Sequence, residues 1–199
     1  CASSPGSLPP LAPPGSEREL QADYAVRLFM DSCVSHVTKP GDLVRWIQQQ
    51  GLRTLEPERA AQLFAGTSGQ AWWADRPTGQ FLLIVVPINP SLNQCTVWAQ
   101  RADAERLTQH LQRLLFLTER PGLSLTTVSE QPVERPDGTY REVVYYLKKD
   151  GAELGWVFVA MTSASEQVQT QGRLMVAPGK GRSVLAPGSA GTLVPAEPH

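Results

Sequence analysis

Residues 70–99 read QAWWADRPTGQFLLIVVPINPSLNQCTVWA. Two runs rich in aromatic and β-branched residues, QAWWAD and QFLLIVVP, flank RPTG, which is a turn by composition. INPSLN (88–93) then leads into a third run, QCTVWAQ. These links are far too short for parallel crossovers, which need a dozen or more residues, so the strands pair antiparallel. Trp72 and Trp73 are neighbours on one strand and must point to opposite faces of the sheet.

Working outward, Asp103 caps an amphipathic helix, ADAERLTQHLQRLLFLTE (102–119), with Leu107, Leu111, Leu114 and Leu115 on one face. Pro121 and Gly122 end it. LSLTTVSE (123–130), TYREVVYYLKK (139–149) and ELGWVFVAMTS (153–163) follow as strands, separated by PDG and by the hairpin signal Asp150-Gly151. VQTQGRLMVA (168–177) closes the set. On the N-terminal side, Leu20, Tyr24, Leu28, Phe29, Cys33 and Val37 fall three to four apart, the period of a helix stripe. Asp42 is placed to cap LVRWIQQQ, Gly51 to terminate it, and Pro57 to open EPERAAQLFAG. The predicted class is α+β, an antiparallel sheet with helices packed on one face, three of them N-terminal. One domain spans 17–177. Residues 1–16 are an uncharged, proline-rich tether, and 178–199 a disordered Gly/Pro-rich tail.

Composition narrows function. With 199 residues, 41% hydrophobic and 19% charged, the chain has room for one ordinary core. A formal charge of −1 gives no electrostatic footprint for nucleic acid. The longest apolar runs, FLLIVVP and WVFVAM, fall well short of the ~20 residues of a membrane helix. Catalytic signatures are also missing. Ser68 lies in GTSGQ, which is not GxSxG and follows no strand. His36, His110 and His199 are scattered, with no HxH, HExxH or CxxC spacing to hold a metal. GKGRS (179–183) lacks the glycine spacing of a phosphate loop, and Glu130 and Glu134 read as surface carboxylates. The chain reads as non-catalytic, with no cofactor and no metal.

Cys1 opens the sequence and resembles the first residue of mature bacterial lipoproteins, which carries the lipid. That resemblance implies an acylated Cys1, a removed signal peptide and a membrane-lipid partner. Ala2 and Ser3 in place of an aspartate imply the outer membrane, with the domain in the periplasm. A tether at ~3.1 Å per residue would span about 40–50 Å. With Cys1 assigned, Cys33 and Cys95 form the one remaining pair, and an oxidising compartment favours a disulfide between them. Two separately buried thiols are the other reading. Core filling accounts for four of the five tryptophans, Trp46, Trp98, Trp156 and one of the pair Trp72 and Trp73, whose other member meets a helix, solvent or a partner, which makes that pair the partner-binding candidate.

The runs RLFMDSCV, PGDLVRWIQQQGL, AAQLFAG, GQAWWAD and CTVWAQRADAERL are similar to a family of uncharacterised proteobacterial envelope proteins. The resemblance covers residues 24–177, through Cys33, the Trp72 region and Cys95, and implies an envelope location without a catalytic residue to transfer. The first expectation is therefore a non-catalytic outer-membrane lipoprotein whose periplasmic domain binds another envelope protein, as an accessory of a secretion or transport assembly. A second is an inhibitor or immunity protein that neutralises a toxin or cell-wall hydrolase, presenting INPSLN or SEQPVERPDG (129–138) as its loop. A third is a cryptic hydrolase, which would need a deep pocket with convergent groups.

Overall fold

Alternation along the central strands sets the architecture. The structure is a computed structural model that describes residues 9–185 and the backbone of 193–195. Ten strands form one antiparallel sheet: β1 (Arg53–Thr54), β2 (Gln70–Arg76), β3 (Gly79–Asn89), β4 (Leu92–Ala99), β5 (Leu123–Arg135), β6 (Gly138–Lys149), β7 (Gly155–Thr162), β8 (Gly172–Lys180), β9 (Ser183–Leu185) and β10 (Leu193–Pro195). The order is β1-β2-β3-β4-β8-β7-β6-β5, with β9 paired to β8 and β10 to β9. The helices are α1 (Glu17–Phe29), α2 (Pro40–Gln50), α3 (Pro57–Phe64) and α4 (Ala104–Phe116).

Register divides the sheet into two chemically different faces. Trp72, Leu83, Val97, Leu174, Ala160 and Val143 follow one another across six strands and are all buried in the main core. Helices α1, α2 and α4 cover this inner face, with Tyr24 against Phe81 and Phe29 edge-on to Phe158. One residue along, the row on the outer face runs Trp73, Leu82, Trp98, Arg173, Met161, Glu142 and Gln131.

The helices do not all share one face, contrary to the sequence prediction. Helix α3 lies on the outer side, where Ala60, Leu63 and Phe64 pack with Leu55, Trp73, Leu82 and Ile84. The cause is the tryptophan pair itself: with Trp72 directed inward, Trp73 needs its own cover. Gly69 lets the chain enter β2 against α3, since a Cβ there would collide with the Phe64 ring.

Several local expectations match the structure. Asp103 accepts a hydrogen bond from Arg106 N at 2.8 Å and caps α4; Gly51 ends α2 at φ 65°; Pro57 is the first residue of α3. Others are corrected. Pro40 opens α2, so Asp42 lies in its first turn rather than at the cap. Leu28 and Phe29 of the predicted α1 stripe are buried, but Leu20 is 44% exposed, and Ala22, Ala25 and Val26 complete the buried side. Small side chains let this helix approach the sheet closely.

Helix α1 also ends before Cys33. A π-helical turn, Met30–Val34, follows it, and the Ser32 hydroxyl donates to the Leu28 carbonyl at 2.5 Å. The extra residue per turn turns both Ser32 and Cys33 inward. Cys33 is disulfide-bonded to Cys95 on β4, with alpha carbons 5.4 Å apart, inside the main core.

The domain extends past the predicted boundary at 177. Strand β8 continues through Pro178 and Gly179, both buried, to Lys180, and a turn at Gly181-Arg182 leads into β9. Val184 packs with Val144, Val157 and Val159, and that burial makes a strand of a segment with weak intrinsic β-propensity. Residues 193–195 of the predicted tail pair with β9 as β10, while Cys1 and the tail's remaining residues, including His199, lie outside the described residues. Within the predicted tether, Pro9 is held by α4, where Arg113 Nε donates to its carbonyl at 3.1 Å. No described helix is long and apolar enough to cross a membrane.

Candidate functional site

The described residues cover the outer face only in part. Helix α3 shields β2 and β3, and β9 shields part of β6 and β7. Beside α3, with Gln100, Arg101, Gln169 and Thr170 on its far side, lies a cleft of about 610 Å³. Its apolar floor is Leu55, Leu63, Leu82, Trp73 and Trp98, and its rim carries Arg59, Arg101 and the amides of Gln62, Gln100 and Gln169. Among the described residues no carboxylate lines it.

Each wall is fixed by identifiable bonds. Trp73 donates its indole N–H to Glu56 at 3.1 Å, and Arg53 donates to the same carboxylate at 2.8 Å. These bonds, the indole first, and one from the Glu56 backbone hold the Glu56 carboxyl down at about 2. Arg53 and Arg59 lie 6.0 and 5.8 Å from the Trp73 ring centroid. On the opposite wall, Gln171 is 1% exposed and organises the loop before β8. Its carbonyl oxygen accepts from Ala102 N and Arg18, and its amide donates to the Ser165 carbonyl. Arg101 donates to the Val168 carbonyl at 2.9 Å, and Val168 packs on Tyr140 and Met161.

Beyond Trp98 the face becomes charged. The Arg173 guanidinium carbon lies 4.7 Å from the Trp98 ring centroid and 5.4 Å from that of Tyr140. Tyr140 donates its hydroxyl to Asp137 at 2.7 Å, which draws the Asp137 carboxyl below its ordinary range. Burial, and then that carboxylate, push the Tyr140 phenol up. Glu142 is 2% exposed and accepts from Arg182 and Gln131, each at 3.2 Å. Arg135, at the end of β5, is pushed down by burial and by the like charge of Arg173.

The residues weighed for chemistry separate under the geometry. His110 and Arg106 of α4 both reach Asp23 of α1: the imidazole at 3.1 Å, the guanidinium through two bonds of 2.7 and 2.8 Å. Burial lowers the imidazole pKa more than Asp23 raises it. Among the described residues His110 bonds no hydroxyl or thiol, so the group fastens two helices and activates no nucleophile. His36 donates to the Ser32 carbonyl at the π turn. Ser68 is exposed between α3 and β2. GKGRS forms the β8–β9 hairpin rather than a phosphate loop, with Arg182 engaged by Glu142. Glu130 pairs with Arg141, and Glu134 accepts the Thr139 hydroxyl at 2.8 and 2.9 Å. The described residues contain no group of three or more His, Cys, Asp or Glu side chains able to hold a metal ion.

The two tryptophans offered for partner binding are both covered, 8% and 6% exposed. Trp72 belongs to the main core and is unavailable to a partner. Trp73 contributes to the cleft floor, and Trp98, assigned from sequence to the core, lines the cleft with it. The two candidate loops are not loops. INPSLN is the end of one strand and the start of the next around a two-residue turn at Pro90-Ser91, and SEQPVERPDG is mostly β5. Arg101, Arg135, Arg173 and Gln171 were not singled out from the sequence. A single charge inside the apolar run GRLMVA was the available signal for Arg173.

No family model, no curated protein and no solved structure matches the chain.

Proposed function

We propose that the chain is a non-catalytic binding domain of the Gram-negative envelope. It is held at the outer membrane through an acylated Cys1 and takes a segment of another envelope protein into the outer-face cleft. The cleft carries this reading: an open apolar trough floored by two tryptophans and rimmed by arginine and amide groups suits an extended polypeptide. It has no nucleophile beside a base among its lining residues. The buried Cys33–Cys95 disulfide supports an oxidising compartment. A role as an accessory of a secretion or transport assembly fits the same picture.

The test is photocrosslinking in intact cells from a probe at Gln100, on the cleft rim, against one at Gln109, on the exposed side of α4. A discrete adduct from Gln100 alone, lost with Trp98→Ala, is expected. Equal labelling at both positions would defeat the proposal. Anchoring is read separately: Cys1→Ser in the precursor should abolish labelling by a palmitate analogue, and persistent labelling would contradict it.

A further inference from the structure

The charged end of the outer face holds more positive than negative groups, and their pairing is uneven. Three guanidiniums, Arg135, Arg173 and Arg182, share this region with two carboxylates, Asp137 and Glu142. Both carboxylates are engaged, Asp137 by the Tyr140 hydroxyl and Glu142 by Arg182 and Gln131. Arg135 and Arg173 form no ion pair with a described residue. Moreover, Nε and Nη2 of Arg135 and Nε of Arg173 are buried without a hydrogen-bond partner among the described residues. Buried charged donors in native proteins are normally paired.

The ring contacts of Arg173 show which part of it remains for a ligand. Its guanidinium carbon lies within cation–π range of the Trp98 and Tyr140 rings, contacts that use none of the N–H donors of the guanidinium fork. That fork matches the two oxygens of a carboxylate or phosphate group. Arg135 approaches from the end of β5, near enough for the like charges of the two guanidiniums to oppose each other. Trp98 belongs to the cleft floor and is also the cross-strand neighbour of Arg173, so Arg173 adjoins the cleft.

We propose that Arg135 and Arg173 form an oxyanion-binding site beside the cleft, which takes a carboxylate or phosphate group of the bound molecule. The inference rests on the reading of the outer face as the binding surface. It predicts that an anionic group is part of what that surface recognises.

The experiment uses the isolated full chain and nitrogen-15 NMR of the arginine Nε–H groups, titrated at constant ionic strength. Inorganic phosphate, acetate and chloride are the three probes. Saturable shifts of the Arg135 and Arg173 signals with phosphate or acetate, but not chloride, are expected. Saturation with acetate identifies a carboxylate ligand, and saturation with phosphate alone a phosphate-bearing one. Arg173→Gln should weaken the effect by about tenfold or more, as loss of a charge-assisted pair requires. Arg173→Lys, which keeps the charge and removes the fork, should weaken it as well, while Arg45→Gln on α2 leaves it intact. Near-ultraviolet circular dichroism confirms that each variant is folded. No saturation with either oxyanion, equal response to chloride, or undiminished binding in folded Arg173→Gln would overturn the site. None of those results alters the crosslinking outcome at Gln100, so the two proposals fail separately.

Discussion

Reducing the Cys33–Cys95 bridge should cost the domain about 4 kcal/mol of stability while leaving its fold in place. The bridge closes a 62-residue loop containing α2, α3, β2 and β3. In the chain-entropy account a loop of that length restricts the unfolded ensemble by about 4 kcal/mol, within a usual span of about 2–5 kcal/mol. The surrounding core does not depend on the bond: both cysteines are buried in the main core, and Cys95 is held in register between Val85 and Val176. For a chain of this size the loss corresponds to a melting temperature lower by about 8–16 °C. The assay is urea unfolding of the oxidised and reduced forms of one Cys1→Ser chain, so that both samples have identical composition. Far-ultraviolet circular dichroism before denaturant checks that the sheet persists. A stability difference below about 1 kcal/mol, or two thiols titrating in the oxidised protein, would refute the reasoning.

Stability should also fall as pH drops below 6.5, through His110. Its imidazole pKa is lowered in the folded protein by burial, so the unfolded chain takes up the proton first. The contribution is complete above 6.5 and is lost as pH falls through the lower folded value; His110→Gln should flatten that part of a stability-against-pH curve, and an unchanged slope would contradict it. Gly69→Ala should destabilise by about 1–3 kcal/mol, because the new methyl group meets the Phe64 ring and lifts α3 from the sheet. Trp73 fluorescence in a chain whose other four tryptophans are replaced by phenylalanine should report that movement, and an unshifted spectrum with wild-type stability would contradict it.

What the sequence disclosed and what it hid follow from the range of the interactions involved. The β2–β3–β4 meander was legible because its turns are short and its apolar residues alternate, both local properties. The Asp103 cap and the stops at Gly51 and Pro57 were legible for the same reason. Helix α1 was placed with Leu28 and Phe29 on its buried side, but Leu20 was wrongly included and Ala22 and Ala25 were missed, because alanine contributes little hydrophobic contrast. The second half of β5 looked like a loop because it contains Pro132 and three charged residues. At the edge of the sheet a missing N–H leaves no partner unsatisfied, so proline is accommodated there. Strand β9 depends on burial against β6 and β7, which no local pattern encodes. Trp72 and Trp73 were correctly set on opposite faces, but that each would find cover depended on where α3 lies. The arginine pair was hidden because Trp98 and Arg173 become neighbours only through the β4–β8 pairing, across 75 residues of sequence.

That pairing also bears on how the protein assembles. Strands β1 to β4 form one meander and β5 to β8 another, each built from successive neighbours, and β4 against β8 is the only strand pairing between them among the described residues. Each half needs mainly short-range closures, whereas the joint requires a long one, and long-range closures are slow. The joint is therefore the natural late step of folding, and the first place for the native sheet to part under stress. Trp98 and Arg173 face each other across it. A ligand that grips both is a clasp on that joint: it cannot bind before the halves have met, and once bound it slows their separation.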